Sequence, residues 1–290
     1  MDNRTIRHLL NNELEESVIT IVGLGSGGAR VCDHLTSNGI SRWNLIDKDV
    51  LDETNLVKHP RLRGELGLPK VDIQRKWILD RNPESRVTTY LEDVIQLGST
   101  FEKIVSQSDL VLCCTDNIES RNFITQICVK QQIPYLVAGV FTAGFGGEVY
   151  LYDPGRTGCY TCLRQYLLAE NHLLPDEEII QELVERNVDG KAIYGRQQDT
   201  LSGLSLDISM IANIQARMAL SYLLHRKDER HFLGLFHLDY NWRVVYTRKM
   251  ETLPNIVPFH YYGATILQQQ NCFCYSMGAD HEMAKKRDTH

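Results

Sequence analysis

An apolar run, Val18–Val22, leads without a break into Gly23-Leu24-Gly25-Ser26-Gly27-Gly28. A second run, Trp43 to Ile46, ends at Asp47, nineteen residues past Gly28. Glycine lets a chain turn tightly out of a strand and straight into a helix, so this pattern predicts strand, turn, helix and strand with an acid at the second strand end. The N–H groups of such a turn, at a helix start, favour an anion, and the acid is placed to accept from ribose hydroxyls. The expectation is a nucleotide site at Gly23, Gly25, Ser26, Gly28 and Asp47. The plain alternative is a turn that only packs helix on strand, with Asp47 solvated.

The alternation continues down the chain. A helix is expected from Gly27 to Asn38, stopped by Gly39, and another from Lys70 to Asn82, stopped by Pro83, with a loop over 48–69 between them. Strands are expected at Val87–Glu92, Asp109–Cys114 and Ile133–Val140, with a helix at Ile118–Gln131. This order predicts an α/β, Rossmann-like, doubly wound and mostly parallel sheet. Past Val140, glycines at 139, 144, 146 and 147 bracket a turn into Glu148–Tyr152, whose partner is sought in 232–246. With no helix signal in those segments, the pairing reads as an antiparallel extension.

Residues 164–203 are charged and irregular, with a helix expected near 176–186. The apolar stretch Leu204–Leu224 is interrupted by Asp207, Asn213, Gln215 and Arg217, which argues for a buried core or interface helix rather than a membrane span. The expected organisation is a nucleotide-binding core with an N-terminal arm over 1–163, a crossover insertion over 164–203, and a segment over 204–290 holding the core helix, antiparallel strands and a structural zinc site. Together these read as one continuous domain.

At 290 residues and 43% hydrophobic content, the chain can bury a large core. A net charge of −6 gives no broad basic surface for nucleic acid. Met1 to Asn12 is polar and charged and does not read as a secretory leader. A cytoplasmic chain is expected, with neither membrane nor nucleic acid among its partners. Its eight cysteines then point to metal or thiol chemistry before disulfides.

More polar residues gather on the nucleotide side. Asp49 follows Asp47 by two, and Asp116 and Asn117 follow the strand at Asp109–Cys114. Ligands of open α/β sheets bind outside the carboxyl ends of the strands, so Asp47 and Asp116 converge on one crevice. One carboxylate suits ribose and the other Mg²⁺ on phosphates. Capping the helix at 118 is the competing role for Asp116-Asn117. Lys70 opens a helix, where a cation is unfavourable with the dipole unless an anion is near, and Lys58 sits in the preceding loop. Both are expected on phosphate.

In order and spacing, Gly23–Gly28, Asp47-Lys48-Asp49, Asn55-Leu56-Val57-Lys58, Pro69-Lys70, Thr115-Asp116-Asn117 with Arg121, and Cys159-Tyr160-Thr161-Cys162 resemble the ThiF/MoeB adenylyltransferases, relatives of the ubiquitin-activating enzymes. The resemblance covers residues 4 to 163. It implies ATP-dependent adenylation of the C-terminal carboxylate of a small ubiquitin-like or sulfur-carrier protein with a Gly-Gly-type tail, releasing pyrophosphate. It further implies ribose on Asp47, phosphates on Asn55, Lys58 and Lys70, and Mg²⁺ on Asp116. Arg4 and Arg7 have the spacing of an arm that crosses to the partner subunit, which makes Arg7 a catalytic candidate beside Asp116 and Lys70 and implies a homodimer. Where the family usually has arginine then glutamine, this chain has Lys58-His59, which keeps the charge but loses the bidentate fork.

Cys159 and Cys162 have metal-pair spacing, and Cys272-Phe273-Cys274 is the available second pair, one residue short of the family pattern. A Cys₄ Zn²⁺ site is expected from the four. A redox pair is disfavoured because such a pair opens a helix after a strand in a thioredoxin-like unit, which this segment is not. No cysteine lies in 164–203, where ubiquitin-activating relatives place a thioester cysteine. The expectation is an enzyme that stops at the adenylate and passes the acyl group to a conjugating enzyme or sulfur donor. The competing readings are an NAD(P)-dependent oxidoreductase, a degenerate nucleotide-binding scaffold, and an adenylating enzyme acting on a peptide or a dehydratase acting on a modified tRNA base.

Overall fold

The computed structural model describes residues 14–141, 146–169, 204–227, 240–249 and 255–276. Arg4, Arg7, the helix expected near 176–186 and the start of the strand sought in 232–246 lie outside these residues.

One eight-stranded sheet organises the described residues, in the order β3-β2-β1-β4-β5-β6-β7-β8. The strands β1 (Val18–Val22), β2 (Arg42–Ile46), β3 (Arg86–Tyr90), β4 (Leu110–Cys113) and β5 (Tyr135–Val140) run parallel. The strands β6 (Gly146–Tyr152), β7 (Trp242–Tyr246) and β8 (Tyr261–Ala264) add to β5 antiparallel. β4 is buried at all four positions, as a central strand covered by helices on both faces must be.

The helices are α1 (Ser26–Ser37), α2 (Glu53–Leu56), α3 (Lys70–Arg81), α4 (Val94–Leu97), α5 (Ser99–Ser106), α6 (Ile118–Gln131), α7 (Tyr160–Ala169) and α8 (Ser205–Lys227). One core layer joins α1, α3 and α8 to the sheet through Val31, Leu35, Val71, Ile211 and Ala219. The other lies under α5, α6 and α7, with Phe101, Ile124, Cys128 and Leu163. α8 buries most of its length, apolar and polar positions alike, as it packs on α1, β5 and β6. No helix among the described residues is long and apolar enough to cross a membrane.

Two stretches depart from expectation. α4 and α5 fill the stretch between β3 and β4, where the short apolar spacing of Phe101, Ile104 and Val105 gives little periodic signal. And α7 opens at the Cys159–Cys162 pair after β6, a helix outside the expected set; the second cysteine pair, described below, favours a metal cage over a redox pair.

Candidate active site

The carboxyl ends of the parallel strands border a cleft of about 570 Å³. It is lined by the glycine turn, Asp47, Asp49, Asn55, Lys58, Lys70, Asp116 and Asn117, together with Arg121. The structure thus brings into one space every expected site residue on the nucleotide side except Arg7, which lies outside the described residues.

The turn is built for close backbone approach. Gly23 has φ +91°, and a Cβ there would meet the Cys114 carbonyl oxygen at 2.8 Å. A Cβ on Gly28 would lie 2.0 Å from the Gly23 carbonyl oxygen, so helix and strand close only around glycine. α1 has no side-chain cap at Gly25 and no acid in its first turn. Its leading N–H groups therefore face the cleft as an uncompensated positive end.

Asp47 closes the other side. It accepts from Leu24 N–H at 2.5 Å and Asp49 N–H at 2.8 Å, which locks the β2 end to the turn. Burial raises its carboxyl above the usual range, while Lys70 and the two N–H groups pull it back down. Lys70, nearly buried at the start of α3, donates to Asp49 at 2.8 Å. Lys58 is held down by burial, and Asp116 across the cleft counters this. The capping role at α6 belongs to Asn117, whose side chain accepts from Ser120 N–H at 2.8 Å, so Asp116 is not committed to it.

Arg121 is spent on the frame. It donates to the Thr115 and Ala138 carbonyls at 3.0 and 3.2 Å and to Tyr160 Oη at 3.2 Å, tying β4, β5 and α7 together under the cleft. Several residues here were not legible as site residues. His59 meets the Leu24 carbonyl at 2.9 Å, and burial pushes its pKa down to about 4, so the ring is neutral. Arg61 pairs with Asp33 at 2.6 and 2.9 Å and with Gln74 at 2.5 Å, pinning the Lys58 loop to α1 and α3. Glu148, Arg164 and Gln215 also line the cleft. Their partners lie far away in sequence, so spacing gives no signal.

At the start of α7, the Sγ atoms of Cys159, Cys162, Cys272 and Cys274 all lie within 4.8 Å of one another. The Cys159–Cys272 and Cys162–Cys274 contacts are 3.4 Å, far beyond a bonded pair at about 2.05 Å and near the roughly 3.8 Å edge of a tetrahedral zinc–thiolate cage. The single residue between Cys272 and Cys274 does not prevent convergence. Gln269 N–H donates to Cys162 Sγ at 3.4 Å, and Gly158 lets the segment at Leu267 approach where a Cβ would meet its carbonyl oxygen at 2.6 Å.

This fold, with a glycine-turned nucleotide crevice and a four-cysteine cluster, defines a class. The chain belongs to the ThiF family, matched over residues 1–253. It is similar to ubiquitin-like modifier-activating enzyme 5 of Drosophila virilis, 26% identical over 252 residues, covering 83% of this chain and 58% of that protein. The Caenorhabditis briggsae protein of the same name is 23% identical over 232 residues, covering 77% and 50%. The chain thus spans less than two thirds of these relatives. In fold it is similar to Escherichia coli MccB solved with ATP, at a TM-score of 0.66 and 19% identity, covering 92% of this chain and 69% of that one. PaaA is similar at a TM-score of 0.63 and 19% identity, covering 91% and 82%.

Proposed function

We propose that the chain uses ATP to adenylate the C-terminal carboxylate of a small ubiquitin-like or sulfur-carrier protein with a Gly-Gly-type tail. One observation carries this reading: a single cleft joins an uncapped helix start to two lysines and two separated carboxylates. An oxidoreductase has no need of Lys58, Lys70 and Asp116 around the same phosphates. The relatives' name and the MccB–ATP complex support the same reading.

In it, the α1 start and Lys58, Lys70 and Asn55 hold the triphosphate, and Asp47 takes the ribose. Asp116 is proposed to hold Mg²⁺, which would neutralise charge on the phosphates, with Asp49 and Asn117 among the nucleotide-binding groups. A tail carboxylate oxygen attacks the α-phosphorus, the bridging bond to the β-phosphate breaks, and pyrophosphate leaves with that electron pair. The protein's share is positioning and charge stabilisation. Arg7, with Arg4, is proposed to reach the phosphates of a partner subunit in a homodimer.

Four clustered thiols suit one structural Zn²⁺, which would hold the 269–274 segment against α7. Seven of the eight cysteines are buried, and the thiol of the eighth, Cys114, is pushed up to about 12 by burial. None is a ready nucleophile, so we read the chain as handing the adenylate to a separate thiol, on a conjugating enzyme or a sulfur donor. A cytoplasmic chain, organised as one continuous adenylation domain over 1–163, 164–203 and 204–290, fits this reading.

The test is ATP–pyrophosphate exchange screened against small proteins with Gly-Gly tails. Exchange that requires both the carrier and an intact Asp116 is expected. No exchange with any carrier, together with reduction of a nicotinamide cofactor in the same cleft, sinks the proposal.

A further inference from the structure

Gln215 sits on the third turn of α8, 1% exposed, and lines the cleft. Its Oε1 accepts from the Cys114 thiol at 3.5 Å. Its Nε2 is buried and has no hydrogen-bond partner among the described residues. Buried amides are nearly always paired, and leaving one unpaired costs its full desolvation, so an unpaired end at a cleft wall asks for an explanation.

Position supplies it. Ile208, two turns earlier on α8, stands 3.8 Å from where a Cβ on Gly27 would be, at the phosphate-facing start of α1. Ile211, one turn before Gln215, packs on Gly147 beside the Gly139 carbonyl, where β5 and β6 meet. Gln215 reaches the end of β4, through Cys114, two residues before Asp116. Its amide therefore lies at the join between the phosphate half of the cleft and the β5–β6 half, at the level of β4. Apolar side chains flank it on its own helix, so no neighbouring α8 group competes for the Nε2 hydrogens.

Resting on the adenylation reading, we propose that Gln215 Nε2 donates a hydrogen bond to the acyl oxygen of the substrate carboxylate. It would orient the second oxygen toward the α-phosphorus and keep that bond in the acyl-adenylate. The Cys114 thiol fixes the amide so that its NH₂ end, not its carbonyl, faces the ligand. Gln215 is then a substrate-reading group for the acyl side and not part of the nucleotide's own binding.

The probe is glycylglycyl-sulfamoyladenosine, a stable mimic of an acyl-adenylate, compared with ATP·Mg²⁺ and with sulfamoyladenosine lacking the acyl group. Each is titrated against the full chain and against Gln215→Met, which keeps the length and packing of the side chain. The wild-type chain should bind the acyl mimic more tightly than the bare sulfamate. Gln215→Met should lose about 10-fold or more of that increment and keep its affinity for ATP within twofold. A structure of the wild-type chain with the mimic should place Nε2 within 3.2 Å of the acyl oxygen, a readout that needs no variant to fold. An unchanged increment in Gln215→Met, an equal loss on both nucleotides, or a distance beyond 4 Å overturns the assignment while leaving adenylation standing. A wild-type chain that binds neither ATP nor the mimic removes the adenylation reading itself, and the Gln215 assignment with it.

Discussion

Lys70 has a residue-scale signature that spacing alone gave away. A cation at a helix start opposes the dipole, and here it is nearly buried, with half-exposed Asp49 as its salt-bridge partner. Lys70→Met should lower carrier-dependent pyrophosphate exchange by about 10²-fold, the scale for losing one preorganised charge on a developing anion. Stability should change little, because water can take over at Asp49. His59 makes a different prediction. Its folded pKa of about 4 lies below the ordinary 6.5, so between those values the unfolded chain binds the extra proton. Its contribution to stability is full above pH 6.5 and is lost as pH falls toward 4. Gln at 59 keeps a donor for the Leu24 carbonyl without a titrating ring. The urea midpoint of wild type should therefore fall more steeply than that of His59→Gln between pH 7 and 4.5; parallel slopes would refute the neutral buried ring. Asp47, raised by burial, contributes with the opposite sign in both proteins and cancels in the difference.

At the scale of elements, the β1–turn–α1 unit tests how much of the site is backbone. Gly25 has open space around it, whereas Gly28 is closed by the Gly23 carbonyl. Gly28→Ala should destabilise by about 3 kcal/mol or more, since backbone must shift to admit the methyl. Gly25→Ala should leave the urea midpoint nearly unchanged yet weaken ATP binding, because its methyl enters the space that phosphate needs. If both variants behave alike, the turn is only a packing device. This unit was also the most legible in sequence, for the same reason: its constraints act within thirty residues, and glycine spacing records them directly. The helix Ile118–Gln131 was read to the residue because Asn117 caps it. α5 and β8 were missed because they are short and gain their stability from tertiary packing, which leaves little periodic trace. The Arg61–Asp33–Gln74 knot and the Cys114–Gln215 pair join distant segments, so no local pattern could announce them.

At the scale of the whole molecule, the four-cysteine cluster is the long-range tie. It joins the start of α7 to residues 272 and 274, more than a hundred positions away, and so fixes the end of the described chain against the same helix that Arg121 reaches through Tyr160. Sequence located both pairs and left open whether one intervening residue at 272–274 could close the cage; the backbone turn from Gln269 to Cys272 supplies the missing reach. If Zn²⁺ occupies the cage, metal analysis should find about one zinc per chain. Stripping it with a chelator should lower Tm by roughly 10 °C, since each kcal/mol is worth about 2–4 °C at this size and a structural zinc contributes several. Cys274→Ser should reproduce most of that loss and make the chelator ineffective. Full zinc loss with an unchanged Tm would instead mark the cluster as a set of buried thiols, and the tie between α7 and the 269–274 segment would then rest on hydrogen bonds such as Gly158 N–H to the Ile266 carbonyl and Gln269 N–H to Cys162 Sγ.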